Sequence, residues 1–258
     1  MIERLSWDSA HFGLPIGRVA GPRVSAGDVA EADRLGLRCV YLLVRAADIA
    51  TIRTAEDLGF RVTDQRITLG RSVSPATGHE PALSAGAEFP VVRPAVPGDM
   101  AALEPVARAA HVDSRFFADP HFEPEAAALL YVVWLRNSLA GELADIVLVA
   151  EHAGRPAGYI TGRLWAERRT VDIGLFAIAA SARGRGLGSQ LLAAFLAAVS
   201  KQRIADVTVV TQGANVGAQR IYQAGGFRTI ESELWLHRWA PVPSGPTGGG
   251  PASATVSR

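Results

Sequence analysis

The chain predicts a mixed α/β fold of the α+β kind: one central sheet flanked by helices, with a reduced copy of part of the same unit at the N-terminal end. Three observations predict it. Residues 172–192, DIGLFAIAASARGRGLGSQLL, read as a buried strand, a glycine-rich loop and an amphipathic helix. From residue 91 to 239, short β-rich runs alternate with segments of helical period. Residues 39–71 also lie over 206–238 without a gap, with eight of 33 positions identical: Val40/Val207, Ala47/Ala214, Arg53/Arg220, Gly59/Gly226, Phe60/Phe227, Arg61/Arg228, Leu69/Leu236 and Arg71/Arg238.

In chain order, Val91–Arg93 predicts a short strand, and 98–111 a helix with Asp99 near its start. The polar and aromatic stretch 113–122, DSRFFADPHF, reads as a connection. A helix over 124–137 follows, with Glu123 and Glu125 near its positive end. Residues 145–151 and 158–165 read as antiparallel strands around a His-Ala-Gly-Arg turn, and 170–179 as the next strand. After the glycine loop a helix runs to Ser200, and then come a strand at 206–212, a helix at 216–224 and a last strand at 229–239. The first copy repeats the strand, turn, helix, Gly-Phe and alternating strand of the last unit. Gly59 and Gly226 have the placement of helix C-terminal glycines. The first copy lacks the glycine loop, and it carries Asp48 and Ala55 where the second has Asn215 and Tyr222. It therefore reads as structural, lengthening a shared sheet or packing beside it. The predicted organisation is a degenerate half-domain at 1–71, a linker at 72–88, a catalytic domain at 89–239 and a disordered Pro/Gly-rich tail at 240–258.

The 258 residues are 48% hydrophobic, ample for a packed core. A net charge of +1 gives no nucleic-acid surface. The single cysteine, Cys39, excludes a disulfide framework, and the six scattered histidines offer no ligand pair, so no metal is expected. The opening MIERLSWDSAHFG lacks the basic and apolar regions of a secretory leader, and the longest apolar run is too short for a bilayer. A soluble, cytoplasmic protein without a membrane partner is expected.

The loop Arg183-Gly184-Arg185-Gly186-Leu187-Gly188 precedes a helix whose free N–H groups and dipole suit a pyrophosphate. It lacks the Gly-Lys-Ser/Thr of a nucleotide P-loop. Its third glycine comes one residue early for a dinucleotide fingerprint. The Arg-x-x-Gly-x-Gly spacing after a strand, and the element order, resemble the GNAT superfamily of acyl-CoA N-acyltransferases. That resemblance implies acetyl-CoA as co-substrate, held by Arg183, Gly184, Arg185, Gly186, Leu187, Gly188 and Ser189. It implies that the strand through Phe176, Ala177 and Ile178 takes the pantetheine arm and offers the backbone N–H groups of Phe176 and Ile178 to the thioester oxygen. Asn215 matches the helix-start residue that bonds that arm, a role compatible with a plain N-cap. Tyr222, seven residues on and on the same helix face, matches the general acid, the alternative being a core tyrosine under the sheet. Asp172 occupies the strand where some members carry a glutamate base, and is equally readable as a solvated strand residue. His111, His121 and Glu151 are further candidates.

Two more segments, LSWDSAHFG (5–13) and SRFFADPHF (114–122), resemble a subgroup that N-acetylates 4-amino-4,6-dideoxy sugars carried on dTDP. This implies a small-molecule amine acceptor, a nucleotide sugar, contacted by Ser114, Arg115, Phe116, His121 and Phe122. The phenylalanines would give flat apolar walls and Arg115 a bidentate grip on phosphate. The alternative for this stretch is a connection that seals the core. A homodimer is expected by family analogy. Other readings are the same chemistry on another small amine or a peptide N-terminus, or a non-catalytic CoA-binding module. The acyl length stays open.

Overall fold

A computed structural model describes residues 1–73, 91–202 and 204–241. The predicted linker, from residue 74 on, and the predicted tail, from 242 on, lie outside the described residues. The strands are β1 (Ile2–Arg4), β2 (Ile16–Val19), β3 (Cys39–Arg45), β4 (Arg61–Ser72), β5 (Val92–Pro94), β6 (Ile146–His152), β7 (Arg155–Trp165), β8 (Thr170–Ile178), β9 (Asp206–Gln212) and β10 (Arg228–Trp239). The helices are α1 (Ser6–Phe12), α2 (Ala26–Arg34), α3 (Ile49–Asp57), α4 (Met100–Ala109), α5 (Arg115–Ala118), α6 (Pro124–Leu139), α7 (Leu187–Ser200) and α8 (Val216–Ala224). All the strands form one mixed sheet in the order β1-β2-β3-β10-β4-β9-β8-β7-β6-β5.

This order places a strand of the first copy, β4, between the last two strands of the second. The registers show why the two copies fit. β10 pairs with β3 from Glu233↔Arg45 to Trp239↔Cys39. Moving each residue by the offset that takes 39 onto 206 yields Arg66↔Gln212 to Ser72↔Asp206, which is the observed pairing of β4 with β9. The pair Arg66↔Glu233 in β4–β10 maps onto itself. It therefore marks a pseudo-twofold axis through the sheet, and an ion pair between the two side chains lies on it. The relation extends outward. β2 runs parallel to β3 with Ile16 opposite Cys39, as β8 runs parallel to β9 with Thr170 opposite Asp206.

The helices cover the sheet on both faces. On one face α2 and α3 pack on Val40, Leu42 and Val44 of the first copy, while α7 and α8 pack on Ile67, Leu69, Val207 and Val209. On the other face α4 and α6 close a core that includes Tyr41, Val149, Tyr159, Leu175 and Ala177, with Phe12, Phe116 and Phe122 joining it. Gly59 and Gly226 have φ of +88° and +86°, and the following Phe60 and Phe227 amides bond back to Ala55 and Tyr222, so both helices end alike. The polar connection 113–122 contains one helical turn, α5. It also carries a buried polar knot: Asp119 accepts from His237 Nδ1 (2.7 Å), Trp239 Nε1 (2.9 Å) and the His121 amide (3.1 Å). Burial opposes the ionised Asp119, but these hydrogen bonds outweigh it and hold the carboxyl well below the usual range.

Burial also depresses the pKa of His237 and of His111 to about 4. Both are neutral in the fold and charge on unfolding near pH 6.5. Their contribution to stability is complete above about pH 6.5 and is lost as pH falls from there to about 4, roughly 3 kcal/mol for each histidine. Urea unfolding between pH 7 and 4 is expected to show this decline, and a His237→Gln variant a shallower one.

Candidate active site

The sheet opens where the chemistry is expected. β8 and β9 are parallel neighbours only from Thr170↔Asp206 to Ile173↔Val209. Beyond that point β9 stays with β4 as far as Gln212, while β8 stays with β7. The divergence coincides with a bulge. Between the pairs Ile160↔Phe176 and Gly162↔Ile173, β8 carries one residue more than β7. The buried Thr161 hydroxyl fills the gap by accepting from the Leu175 amide at 2.8 Å. The bulge reverses the strand's faces: Val171 and Ile173 point under α7, whereas Leu175 and Ala177 point under α4 and α6.

The amides of β8 can be assigned to its two edges. The Leu175 amide bonds Thr161 of β7, and the Ala179 amide bonds the Ala157 carbonyl at 2.7 Å. Amides two apart along a strand point the same way. Those of Phe176 and Ile178 therefore point away from β7, into the opening. The Arg183 side chain enters the same space and donates to the Ile178 carbonyl at 3.2 Å.

A cleft of about 500 Å³ occupies the opening. Its floor is Phe176, Ala177 and Ile178. One wall is Arg183, Gly184, Gly186, Leu187, Gly188 and Ser189, and the other is Asn215 with Gly217, Ala218 and Ile221 of α8. The helix α7 starts at Gly186 with φ of +78° and no side-chain cap, so its first amides are left for a ligand. Gly184 is also left-handed, at +73°. The corresponding helix of the first copy is closed. At α2 the Ser25 and Asp28 side chains form a reciprocal cap, and the N-terminal amine binds Asp28. Such a start repels an anion. Asn215 Oδ1 caps α8 by accepting from the Ala218 amide at 3.1 Å, as Asp48 caps α3.

Tyr222 is buried between Phe176 and Phe227, with ring centroids 5.8 and 5.7 Å away. Burial raises its pKa, so the phenol stays protonated. Its hydroxyl has no hydrogen-bond partner among the described residues. Neither Tyr222 nor Arg185 lines the cleft. Asp172 precedes the divergence and does not line it either. Its carboxylate accepts from Trp165 Nε1 at 2.7 Å and from the Thr208 hydroxyl. Glu151 is paired with Arg93 at 2.6 Å, and His121 with Asp119 at 2.8 Å.

The cleft's remaining wall, residues 109–113 at the end of α4 and before α5, contains His111, which lines the cleft where the other base candidates Asp172, His121 and Glu151 do not. His111 is the informative residue in it. It adopts a left-handed φ of +60° and stacks on Tyr131 at 4.4 Å. No periodicity announces such a conformation. Of the residues expected at the acceptor, Phe116 and Phe122 are core residues packed on Phe12, and His121 stacks on Trp239. They wall the core, because Phe12 of α1 covers them. Arg115 differs. Its guanidinium lies over the rings of Tyr41 and Trp235, 4.1 Å from each centroid, with no carboxylate in ion-pair contact among the described residues. Its Nη1 is 3.3 Å from His237 Nε2. A guanidinium only donates, so Nε2 accepts and Nδ1–H donates to Asp119. The Tyr41 and Ser114 hydroxyls beside Arg115 are buried without partners. No cluster of metal-ligating residues occurs among the described residues, and no described helix is long and apolar enough to cross a membrane.

Residues 118–236 match the family model described as acetyltransferase (GNAT) domain. Over 146 residues the chain is 34% identical to the spore coat polysaccharide biosynthesis protein SpsD of Bacillus subtilis. That match covers 57% of this chain and spans about half, 50%, of the relative. Over 244 residues it is 26% identical to the dTDP-fucosamine acetyltransferase of Escherichia coli O6:H1, covering 92% of this chain and 97% of that protein. Among solved structures, a GCN5-related N-acetyltransferase from Sphaerobacter thermophilus aligns with a TM-score of 0.59 at 17% identity, over 92% of this chain and 76% of that one, a likeness of fold.

Proposed function

We propose, on the premise that this chain carries a GNAT acetyltransferase domain over residues 118–236, that it transfers the acetyl group of acetyl-CoA to the amine of a nucleotide-linked amino sugar, a dTDP-4-amino-4,6-dideoxyhexose. The observation that carries the reading is the cleft where β8 leaves β9, walled by an uncapped helix start and floored by two unpaired strand amides. Acetyl-CoA supplies an activated acyl carbon and a thiolate leaving group; everything else is done by the chain. The Gly184–Ser189 amides receive the pyrophosphate at the positive end of α7. The Phe176–Ile178 edge takes the pantetheine arm as an added strand, and one of its N–H groups faces the thioester oxygen. A preorganised donor of this kind contributes about 3–4 kcal/mol as negative charge develops. Tyr222 gives its phenolic proton to the departing sulfur. Arg115 is a cation awaiting a phosphate, consistent with a nucleotide sugar. The two relatives, named for a dTDP-fucosamine acetyltransferase and for spore coat polysaccharide biosynthesis, support a sugar acceptor. Incubation of the protein and acetyl-CoA with dTDP-4-amino sugars, free amines and peptides tests it. Mass spectrometry is expected to find a 42-Da gain (roughly one acetyl replacing one hydrogen) on a dTDP sugar. Acetylation confined to peptides or simple amines would defeat the sugar assignment.

A further inference from the structure

Resting on that reading, we propose that Asp64 of the N-terminal half-copy receives the acceptor's ammonium group and removes its proton, so that the first copy supplies the acceptor side of the active site. The position follows from the sheet. β4 is the strand beyond β9, and Arg66↔Gln212 is its last pair with it. Asp64 lies two residues before Arg66 on β4, past the end of that pairing and beside the turn that leads to Asn215 in the cleft wall; the Gly213 amide of that turn bonds the Gln65 carbonyl at 2.6 Å. The orientation follows from alternation. Ile67 and Leu69 point under α7 and α8, so Arg66 and Asp64 point to the opposite face, with Trp235 paired beside Asp64 on β10. That face is the one covered by the connection 109–115. The Arg115 backbone and the charges of Arg115 and of Asp113, a cleft residue, act on the Asp64 carboxyl.

The surroundings are those of a ligand site. Asp64 is half-buried and forms no ion pair within 4.0 Å among the described residues. The hydroxyls of Tyr41, whose ring packs on the Arg115 guanidinium, and of Ser114, the residue before Arg115, are buried without partners and can offer hydrogen bonds to a hydroxylated ring. The groups facing Asp64 are Arg115 from α5, Asp113 from the connection and Tyr131 from α6. Burial pushes its carboxyl up to about 7, with Arg115 opposing the rise, which suits a group that takes a proton at neutral pH. Asp172, by contrast, is already engaged by Trp165 and Thr208.

The protons balance. Asp64 takes one proton from R–NH3+ and passes it to solvent. The nitrogen lone pair then forms the C–N bond as the C–S bond breaks. The thiolate takes the phenolic proton of Tyr222, and the second nitrogen proton restores the phenol. The sum is R–NH3+ and acetyl-CoA giving the amide, CoA-SH and H+.

The test compares the unaltered protein with Asp64→Asn and Asp64→Glu, by thiol release with a dTDP-4-amino sugar from pH 5.5 to 9 and by calorimetry with acetyl-CoA. Asp64→Asn is expected to lower kcat/KM at pH 7 by about 100-fold and to lose the limb that rises near pH 7. Its rate should recover as pH approaches the pKa of the amine, with acetyl-CoA affinity and thermal midpoint unchanged. Asp64→Glu should restore part of the rate. An Asn variant within threefold of the parent, with the limb intact, would overturn the proposal. Binding of acetyl-CoA without transfer to any amino sugar would overturn it too. Failure of the unaltered protein to bind acetyl-CoA would instead remove the acetyltransferase reading itself.

Discussion

Replacing Tyr222 by Phe is expected to lower kcat by about 10²–10⁴-fold while leaving acetyl-CoA affinity nearly unchanged. The substitution keeps the ring between Phe176 and Phe227 and removes only the hydroxyl. That hydroxyl has no partner among the described residues, so its loss breaks no bond of the fold, and the unfolding free energy should move by less than about 0.5 kcal/mol. A large kinetic effect with no stability effect separates an acid from a core tyrosine. Burial makes the phenol reluctant to ionise, which keeps it a full donor across the working pH range. In the proposed mechanism the cost of a buried phenolate is limited, because the acceptor nitrogen's proton returns to it in the same event. Steady-state rates, calorimetry and urea unfolding on the one variant make the comparison. An unchanged kcat would assign Tyr222 to packing alone.

The parts of this site that the sequence displays are those built from contiguous residues. The glycine loop, the strand before it and the Asn215–Tyr222 helix each lie within one run, where spacing encodes geometry directly. Most strands and helices from residue 91 onward also follow from period and turn residues, and their bounds shift by only a few positions. β1, α1, β2 and α2 are not visible in the sequence, because strands of three or four residues and helices of seven and nine residues carry too little pattern. α5 is hidden for the same reason: a single turn inside a polar stretch has no period. The proposed acceptor side is hidden for a different reason. Asp64 is one polar residue on an alternating strand, and nothing local says that this strand lies next to β9. Arg115 is visible as a cation, but its contact with both the Tyr41 and Trp235 rings depends on strands from both copies. Phe116 and Phe122 look like pocket walls in the sequence and are core walls in the fold, since aromatic residues serve either purpose and only α1, far away in sequence, decides which.

The interleaving of the two copies predicts the largest stability effect. A fragment that starts at residue 91 and keeps the whole matched domain is expected not to fold on its own. Removing residues 1–73 takes away β4, the strand between β9 and β10, and β3, which covers the other edge of β10. β10 then loses both neighbours, and β9 keeps only its four-residue contact with β8. The backbone groups of β10 along its pairs with both strands lose their partners, at about 0.5–1.5 kcal/mol for each net hydrogen bond. The buried Ile67 and Leu69 no longer support α7 and α8, and Leu236 loses its cover. Fully burying a side chain of that size contributes about 1.5–3 kcal/mol. Losses of this order exceed the 5–15 kcal/mol that holds a typical domain together. Circular dichroism and thermal unfolding of residues 91–258 are expected to show no cooperative transition. The complement sharpens the test. Because the two copies pair through a pseudo-twofold axis as two subunits would, residues 1–73 supplied as a separate chain should restore a transition and acetyl-CoA binding to the fragment. A fragment that folded and bound acetyl-CoA unaided would show instead that the first copy is an appendage.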